Sequence, residues 1–325
     1  MLARLAGETF DFLIVGGGAT GLGCAVDAAS RGYRTALVEA NDFAAATSSR
    51  STKLVHGGVR YLAQGDLHLV REALHERSRL LRNAPCLVRD RTFVTPAYRW
   101  YEPPYYLAGL KLYDVLAGAN DPFGRSTFLS ANAALARLPW LRAGGLRGAI
   151  AYHDGQFDDA RLAIALARTA ADRGAALANY VRCTALADAD SNSGLRRIAL
   201  RDEETGDALD ARAKVVVNAA GIFVDEIRRL EDPTAEPMMA LSRGTHIAIA
   251  PETLPGNDAL LIPNTIDGRV AFAIPWHERT LVGTTDIPTR EALLDPTPTA
   301  EEIDYLLMTL NRYTRTAVAR DRVTA

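Results

Sequence analysis

The sequence predicts the α/β class, with a parallel sheet in one part of the chain and a β-rich layer in another. Three observations predict it. An apolar run at residues 10–15 leads straight into Gly16-Gly17-Gly18-Ala19-Thr20-Gly21, then into a helical stretch and a second apolar run. Residues 184–213 read as a three-stranded meander. From Ser242 onward, short alternating strands replace the strand–helix rhythm.

Phe10-Asp11-Phe12-Leu13-Ile14-Val15 reads as a buried parallel strand. The next six residues match G-x-G-x-x-G, and each glycine has a physical reason. Gly16 permits a tight turn, Gly18 lets a pyrophosphate approach the backbone, and Gly21 lets the helix pack on the strand. Residues 22–31 form the helix, whose N-terminus offers N–H groups and a positive dipole end to phosphates. Gly32 stops it. Residues 34–38 form the second strand, and Glu39 at its end can accept both hydroxyls of an adenosine ribose. Strand, triplet, helix, strand and terminal acid in this order predict a Rossmann-like dinucleotide site. A glycine-rich turn without a ligand is the plainer alternative.

A chain of 325 residues suffices for two domains or one large α/β unit. Its 37 basic and 39 acidic residues leave a net charge of −2, so no nucleic-acid partner is expected. Cys24, Cys86 and Cys183 are widely spaced and form no C-x-x-C pair. That argues against a disulfide framework or a zinc site and suits a reducing, cytosolic setting. Residues 1–8 are too short and broken for a signal peptide. No run of about 18 apolar residues is present to span a membrane, which leaves monotopic attachment open.

Residues 44–62 are small, polar and glycine-containing, and read as a loop and short helix along a ligand, or as a solvated connection. Residues 66–82 form an amphipathic helix, with Leu67, Val70, Leu74 and Leu81 as its buried stripe and Arg and Glu on its wet face. His68 and His75 belong at its surface or edge rather than in a metal site. Residues 91–98 read as a strand, 100–106 as a turn crowded with aromatics, and 107–116 as a helix. Those aromatics either rest in a lipid interface or, the favoured reading, pack at a domain boundary.

Asp158 and Asp159 cap a helix that stops at Gly174. Residues 176–181 read as a strand, and 184–189, 195–202 and 209–213 as the meander. Residues 214–221 read as a separate buried strand, whose tip Asn218-Ala219-Ala220-Gly221 suits close approach to a ligand. In the β-rich layer 246–250, 269–274 and 280–283 alternate, with a turn at 275–279, and 300–313 is a helix.

At Thr47-Ser48-Ser49-x-Ser51-x-Lys53-Leu54-x-His56-Gly57-Gly58-x-Arg60-Tyr61-Leu62 the chain resembles the FAD-dependent glycerol-3-phosphate dehydrogenases. Further matches are Phe157-Asp158-Asp159-Ala160-Arg161-Leu162, Val217-Asn218-Ala219-Ala220-Gly221, Gly244-Thr245-His246-Ile247, Ile274-Pro275-Trp276 and Gly283-Thr284-Thr285-Asp286. Order and spacing fit from residue 10 to residue 322. The resemblance implies FAD as cofactor, oxidation of sn-glycerol 3-phosphate to dihydroxyacetone phosphate, and a quinone as electron acceptor. It implies an FAD-binding domain of residues 8–84 and 150–228, interleaved with an antiparallel, β-rich substrate domain of residues 85–149 and 229–325. Cofactor contacts are expected from Gly16, Gly18, Gly21, Glu39, Thr47, Ser48, Ser49, Lys53, His56, Gly57, Val181, Ala219 and Gly221. Contact with a membrane surface and pairing into a homodimer are further expectations, in the cytoplasm or at the inner face of the cell membrane.

Oxidising a secondary alcohol needs a hydride acceptor that no side chain provides, so the flavin carries it. A base must take the hydroxyl proton, and His56 and His246 are the candidates near neutral pH. His246 is slightly preferred, for its place on a strand of the β-rich layer; either can equally be structural. Arg60 suits the substrate phosphate, the alternative being a surface arginine, and Tyr61 adds a hydroxyl donor.

The family pattern continues past Arg322 with Ser-Gly-x-Arg-Pro-Leu, a glycine-rich strand and helix near the flavin, and a C-terminal helical domain. None occurs here, so the chain is expected to be an N-terminal portion that alone binds FAD weakly and turns over poorly or not at all. The alternatives are a glycerol-3-phosphate oxidase using O2, an amino-acid oxidase of similar architecture, and a non-catalytic FAD-binding remnant.

Overall fold

The strand Thr9–Val15 is flanked on both sides by parallel neighbours, Thr35–Val38 and Ala208–Asn218, and its Leu13, Ile14 and Val15 are buried. It lies near the middle of a six-stranded sheet in the computed structural model, which describes residues 1–325. The sheet runs Ala176–Ala178, Thr35–Val38, Thr9–Val15, Ala208–Asn218, Arg196–Asp202, Val181–Ala189. The first four strands are parallel and the last two fold back antiparallel. Residues 1–51, 159–241 and 288–296 make up this compact unit.

Two differences from expectation have physical reasons. Residues 209–213 and 214–221 are not separate strands. Ala208–Asn218 is one strand, antiparallel to Arg196–Asp202 through Ala208–Ala213 and parallel to Thr9–Val15 from Arg212 to Asn218. No turn residue interrupts it, so the chain has no reason to break. The helix Ala19–Ser30, the second after Leu2–Gly7, begins earlier than the apolar pattern suggests, with Gly18 as its N-cap. Gly21 therefore lies inside the helix, where an added Cβ would fall 1.9 Å from the Gly16 carbonyl oxygen. Small residues also set the packing of this helix on Asp159–Asp172. Ala25 and Ala29 share a buried cluster with Ala163, Ala167 and Ala170, and side chains this small let helix backbones come close.

The second unit comprises residues 52–158, 242–287 and 297–325. Its main sheet is ordered His246–Ile249, Arg279–Gly283, Ala271–Trp276, Ala259–Ile262, Val88–Ala97, Gly148–Phe157, Leu54–Val55, with Thr127–Leu129 also paired to Gly148–Phe157. It is mixed rather than antiparallel, because Ala259–Ile262 and Val88–Ala97 pair in parallel. Side chains alternate between two cores. Val94, Leu260, Ile262 and Val282 face one core with Trp140 and the helix Ala300–Asn311. Phe93, Leu261, Tyr152 and Ile274 face the other, with the helices Leu67–Asn83 and Glu102–Ala117.

The domain boundaries differ from those expected. Residues 52–84 and 150–158 fold in this second unit, because Leu54–Val55 pairs with Gly155 and Gln156, and Val70 and Leu74 pack into the Phe93 core. On the helix Leu67–Asn83 the wet face is also misjudged. Leu67 is exposed, whereas Arg77 and Ser78 are buried. Tyr101 leads directly into the helix Glu102–Ala117, which takes Pro103 and Pro104 in its first turn, where a missing N–H costs nothing. Trp100 and Tyr105 are 81% and 65% exposed. His68 and His75 lie at exposed and half-buried positions, as expected. No helix is long and apolar enough to cross a membrane.

Leu260→Ala removes a side chain that is fully buried beside Trp140. It is expected to cost about 2–5 kcal/mol in a urea titration followed by tryptophan fluorescence. Leu67→Ala, at an exposed position, is expected to change the same midpoint by no more than about 0.5 kcal/mol.

Candidate functional site

In the first unit, the end of each central strand contributes to one cavity. Gly16 follows Val15 with φ +116°, and an added Cβ would lie 2.3 Å from the Ala219 carbonyl oxygen. The two strand ends are thus in backbone contact, tied further by Ala219 N–H donating to the Val15 carbonyl at 2.8 Å. Gly18, in extended conformation, caps the helix, and an added Cβ there would meet only the Ser48 hydroxyl, at 2.9 Å. The Ser48 Oγ accepts the Ala19 N–H at 2.9 Å. A hydroxyl therefore already sits where the helix N-terminus presents its unpaired donors.

Glu39 is held from several directions. Its N–H donates to the Ala178 carbonyl, and its own carbonyl accepts the Val181 N–H at 2.8 Å. Its carboxylate accepts the Gly17 N–H at 2.7 Å and the Asn41 N–H at 2.8 Å, one on each oxygen. Each oxygen keeps a lone pair for a ribose hydroxyl. Ser51 donates through its N–H and its hydroxyl to Asp159, which anchors the turn Thr47–Ser49 to the helix Asp159–Asp172.

The cavity is about 750 Å³ and is lined by Gly16, Gly18, Glu39, Thr47, Ser48, Val181, Ala219 and Gly221 among others. That volume lies within the range of small-molecule sites. Of the residues expected at the cofactor, Gly21, Ser49, Lys53, His56 and Gly57 are not among those that line it. Gly21 serves helix packing, and Ser49 occupies the same short turn as Ser48. Sequence reasoning missed Arg182, Cys183 and Thr184, and also Glu226, Ile227 and Leu230 of the helix Val224–Glu231. The i, i+3 pair Ile227 and Leu230 was the available signal. Burial pushes the Cys183 thiol up to about 11, so it lines the cavity as a neutral group.

The remaining expected residues belong to the second unit. His246 opens its strand opposite Gly283, and an added Cβ on Gly283 would strike the His246 ring at 2.3 Å. Gly283 also pairs with Phe272, whose ring lies 6.3 Å from that of His56. His246 and His56 therefore share one face of the sheet, with Phe272 between them. The His246 Nε2 lies 2.9 Å from the Thr52 hydroxyl. The His56 Nδ1 accepts the Gly58 N–H at 2.9 Å. A neutral His56 accordingly carries its proton on Nε2, where it donates. Gly57 N–H donates to the Tyr113 hydroxyl at 2.7 Å, and Lys53 has φ +61°. Arg60 and Tyr61, in the short helix Val59–Ala63, are exposed, and no hydrogen bond or ion pair engages the Arg60 guanidinium.

Glu302 fixes the segment that leads into His246. It accepts the Thr245 and Thr285 hydroxyls, the Thr299 N–H and the Arg243 guanidinium. Burial raises its pKa, but these donors outweigh burial and hold it below the ordinary glutamate range. Its contribution to stability is present above that range and is lost as pH falls through the depressed value. No group of three or more potential ligands able to hold a metal ion occurs.

The family model for FAD dependent oxidoreductase matches residues 11–324. The chain is 45% identical over 315 residues to the mitochondrial glycerol-3-phosphate dehydrogenase of Mus musculus, covering 94% of this chain and 43% of that protein. It is 42% identical over 334 residues to a mitochondrial glycerol-3-phosphate dehydrogenase of Arabidopsis thaliana, covering 99% of this chain and 53% of that protein. Among solved structures, the glycerol-3-phosphate dehydrogenase of Bacillus halodurans complexed with FAD superposes with a TM-score of 0.79 at 31% identity, over 99% of this chain and 56% of that one. The chain thus spans about half the length of the relatives it matches.

Two glycine substitutions separate fold from site. Gly16→Ala puts a side chain at positive φ into the Ala219 carbonyl and is expected to lower the melting temperature, at a cost of about 1–3 kcal/mol or more. Gly18→Ala meets only a movable hydroxyl, so its melting temperature should stay close to wild type while titration with an adenine dinucleotide shows at least a tenfold weaker Kd.

Proposed function

Because the chain belongs to the FAD dependent oxidoreductase family, we propose that it binds FAD in the Gly16–Glu39 cradle and acts in the oxidation of sn-glycerol 3-phosphate to dihydroxyacetone phosphate, with a quinone as electron acceptor. One observation carries the choice of substrate: 45% identity over 315 residues to an enzyme named glycerol-3-phosphate dehydrogenase. The cradle fits the cofactor on its own terms. It has a Cβ-free approach at Gly18, helix N–H groups behind it, and a carboxylate at Glu39 with lone pairs to spare. FAD, when bound, supplies the two-electron acceptor that no side chain can provide.

The chain's own residues supply the rest. His246 takes the proton of the substrate's secondary hydroxyl, and Thr52 orients its ring from Nε2. His56 accepts the Gly58 N–H at Nδ1, so its Nε2–H suits a hydrogen bond to the substrate oxygen. Arg60, exposed and unpaired, is the cation for the phosphate, and Tyr61 beside it adds a hydroxyl. Lys53 and Gly57 stand close to His56 in the chain. Contact with a membrane surface belongs to this reading as the place where a quinone is reached, and a homodimer is its expected state.

The test is an anaerobic titration of the FAD-loaded chain with glycerol 3-phosphate, followed by flavin absorbance. Bleaching supports the reading, and a flavin that binds but stays oxidised refutes it for this chain. Reoxidation by a water-soluble quinone without peroxide supports the acceptor, whereas peroxide in air points to oxygen. His246→Gln should keep FAD and slow bleaching by roughly 10²–10⁴-fold. Arg60→Ala should raise the half-saturating substrate concentration by roughly 10–100-fold, the loss of a charge-assisted hydrogen-bond pair.

A further inference from the structure

Beneath the His56 loop lies a buried charged cluster that none of the chemistry above uses. Arg77 is 1% exposed. Its Nη2 donates to Asp121 at 2.6 Å, and its Nη1 donates to Asp154 at 2.8 Å and to the His153 carbonyl at 3.0 Å. The guanidinium lies 3.9 Å from the centre of the Phe123 ring, and its Nε has no partner. One cation against two carboxylates inside a core is costly, and apolar residues of the same volume would often be as stable or more so. On one side the cluster ends at Ser78, whose hydroxyl lies against Asp121; on the other it reaches the His56 loop. Asp154 accepts the Tyr113 hydroxyl at 2.8 Å, and Tyr113 in turn accepts the Gly57 N–H at 2.7 Å.

The direction of this chain of hydrogen bonds is fixed. A carboxylate held by Arg77 can only accept, so the single Tyr113 proton is committed to Asp154. The Tyr113 oxygen therefore presents a lone pair to Gly57, and burial with the nearby Asp154 charge keeps the phenol protonated. The approach also needs glycine at 57. An added Cβ would come within 2.5 Å of Leu74 and 2.6 Å of the Tyr113 oxygen. Gly57 sits between His56 and Gly58, whose N–H holds the His56 ring at Nδ1.

We propose that Tyr113, oriented by Asp154 and Arg77, is a positioning residue that sets the backbone at Gly57 and through it the direction of the His56 ring. This rests on the proposed function only for the consequence in catalysis. The structural part stands by itself.

The test uses the full 325-residue chain and two variants. Tyr113→Phe removes the acceptor for Gly57. Asp121→Asn disturbs the other arm of the same buried cluster, which has no bond to Gly57, and serves as the matched control for destabilisation. The first readout is amide hydrogen exchange by mass spectrometry over residues 54–59. In the wild type, the Gly57 amide should be protected like the strand amides of the Phe93 core. Y113F should speed exchange there by tenfold or more, with D121N close to wild type. The second readout, in the FAD-loaded chain, is the rate of flavin bleaching by glycerol 3-phosphate. Y113F should slow it about tenfold or more at saturating substrate, and D121N should not.

An unprotected Gly57 amide in the wild type, a measurement that needs no variant to fold, would overturn the proposal. So would equal effects of the two variants on exchange. If wild-type flavin is not bleached at all, the proposed function fails, while the exchange experiment still decides the role of Tyr113.

Discussion

The contact on which the first unit depends is the close approach of two strand ends at Gly16 and Ala219. The backbones meet where a Cβ on residue 16 would lie 2.3 Å from a carbonyl oxygen, so there is room for no side chain. That contact lets Thr9–Val15 and Ala208–Asn218 finish level with each other. The level ends place the Glu39 carboxylate, the helix N-terminus at Ala19 and the small tip Ala219-Ala220-Gly221 around one space. Backbone N–H groups and the Glu39 carboxylate stand around that space. The lining is mainly apolar, with Glu39, Arg182 and Glu226 as its charged residues.

The second unit solves a different problem. Its candidate groups are side chains rather than backbone, and side chains must be held. Glu302 holds Thr245 and Thr285 next to His246, Thr52 holds the His246 ring, and Gly58 holds the His56 ring. Each of these partners is a short polar group whose hydrogen bonds leave little rotational freedom, so the two histidines are oriented before any ligand arrives. Preorganisation of this kind spares a bound substrate the cost of ordering its surroundings.

How much was legible in the sequence follows from this contrast. Backbone demands are written in residue type: Gly16, Gly18 and Glu39 are readable because few other residues fit those positions. The strand Ala259–Ile262, by contrast, is four apolar residues with no period and was not read, although it makes the second sheet mixed. Arg77 reads as part of a wet helix face because its partners, Asp121 and Asp154, lie far along the chain. The extent of the first unit was overestimated at residues 52–84 for a similar reason. Nothing local says that Leu54–Val55 pairs with Gly155 and Gln156. Long-range pairing is decided by burial, which a single sequence does not display.

The continuous strand Ala208–Asn218 also bears on how this chain leaves the ribosome. It is the central parallel partner of the first strand, yet about 200 residues separate Val15 from Asn218; at about 5–20 residues per second, that is roughly 10–40 seconds of synthesis. For that interval the apolar edge of Thr9–Val15 has no native mate. Such an edge invites pairing with other chains, and the interval is long compared with hydrophobic collapse. The sheet of the nucleotide-binding unit therefore cannot close from its N-terminal half alone and must wait for residues 208–218 to be made.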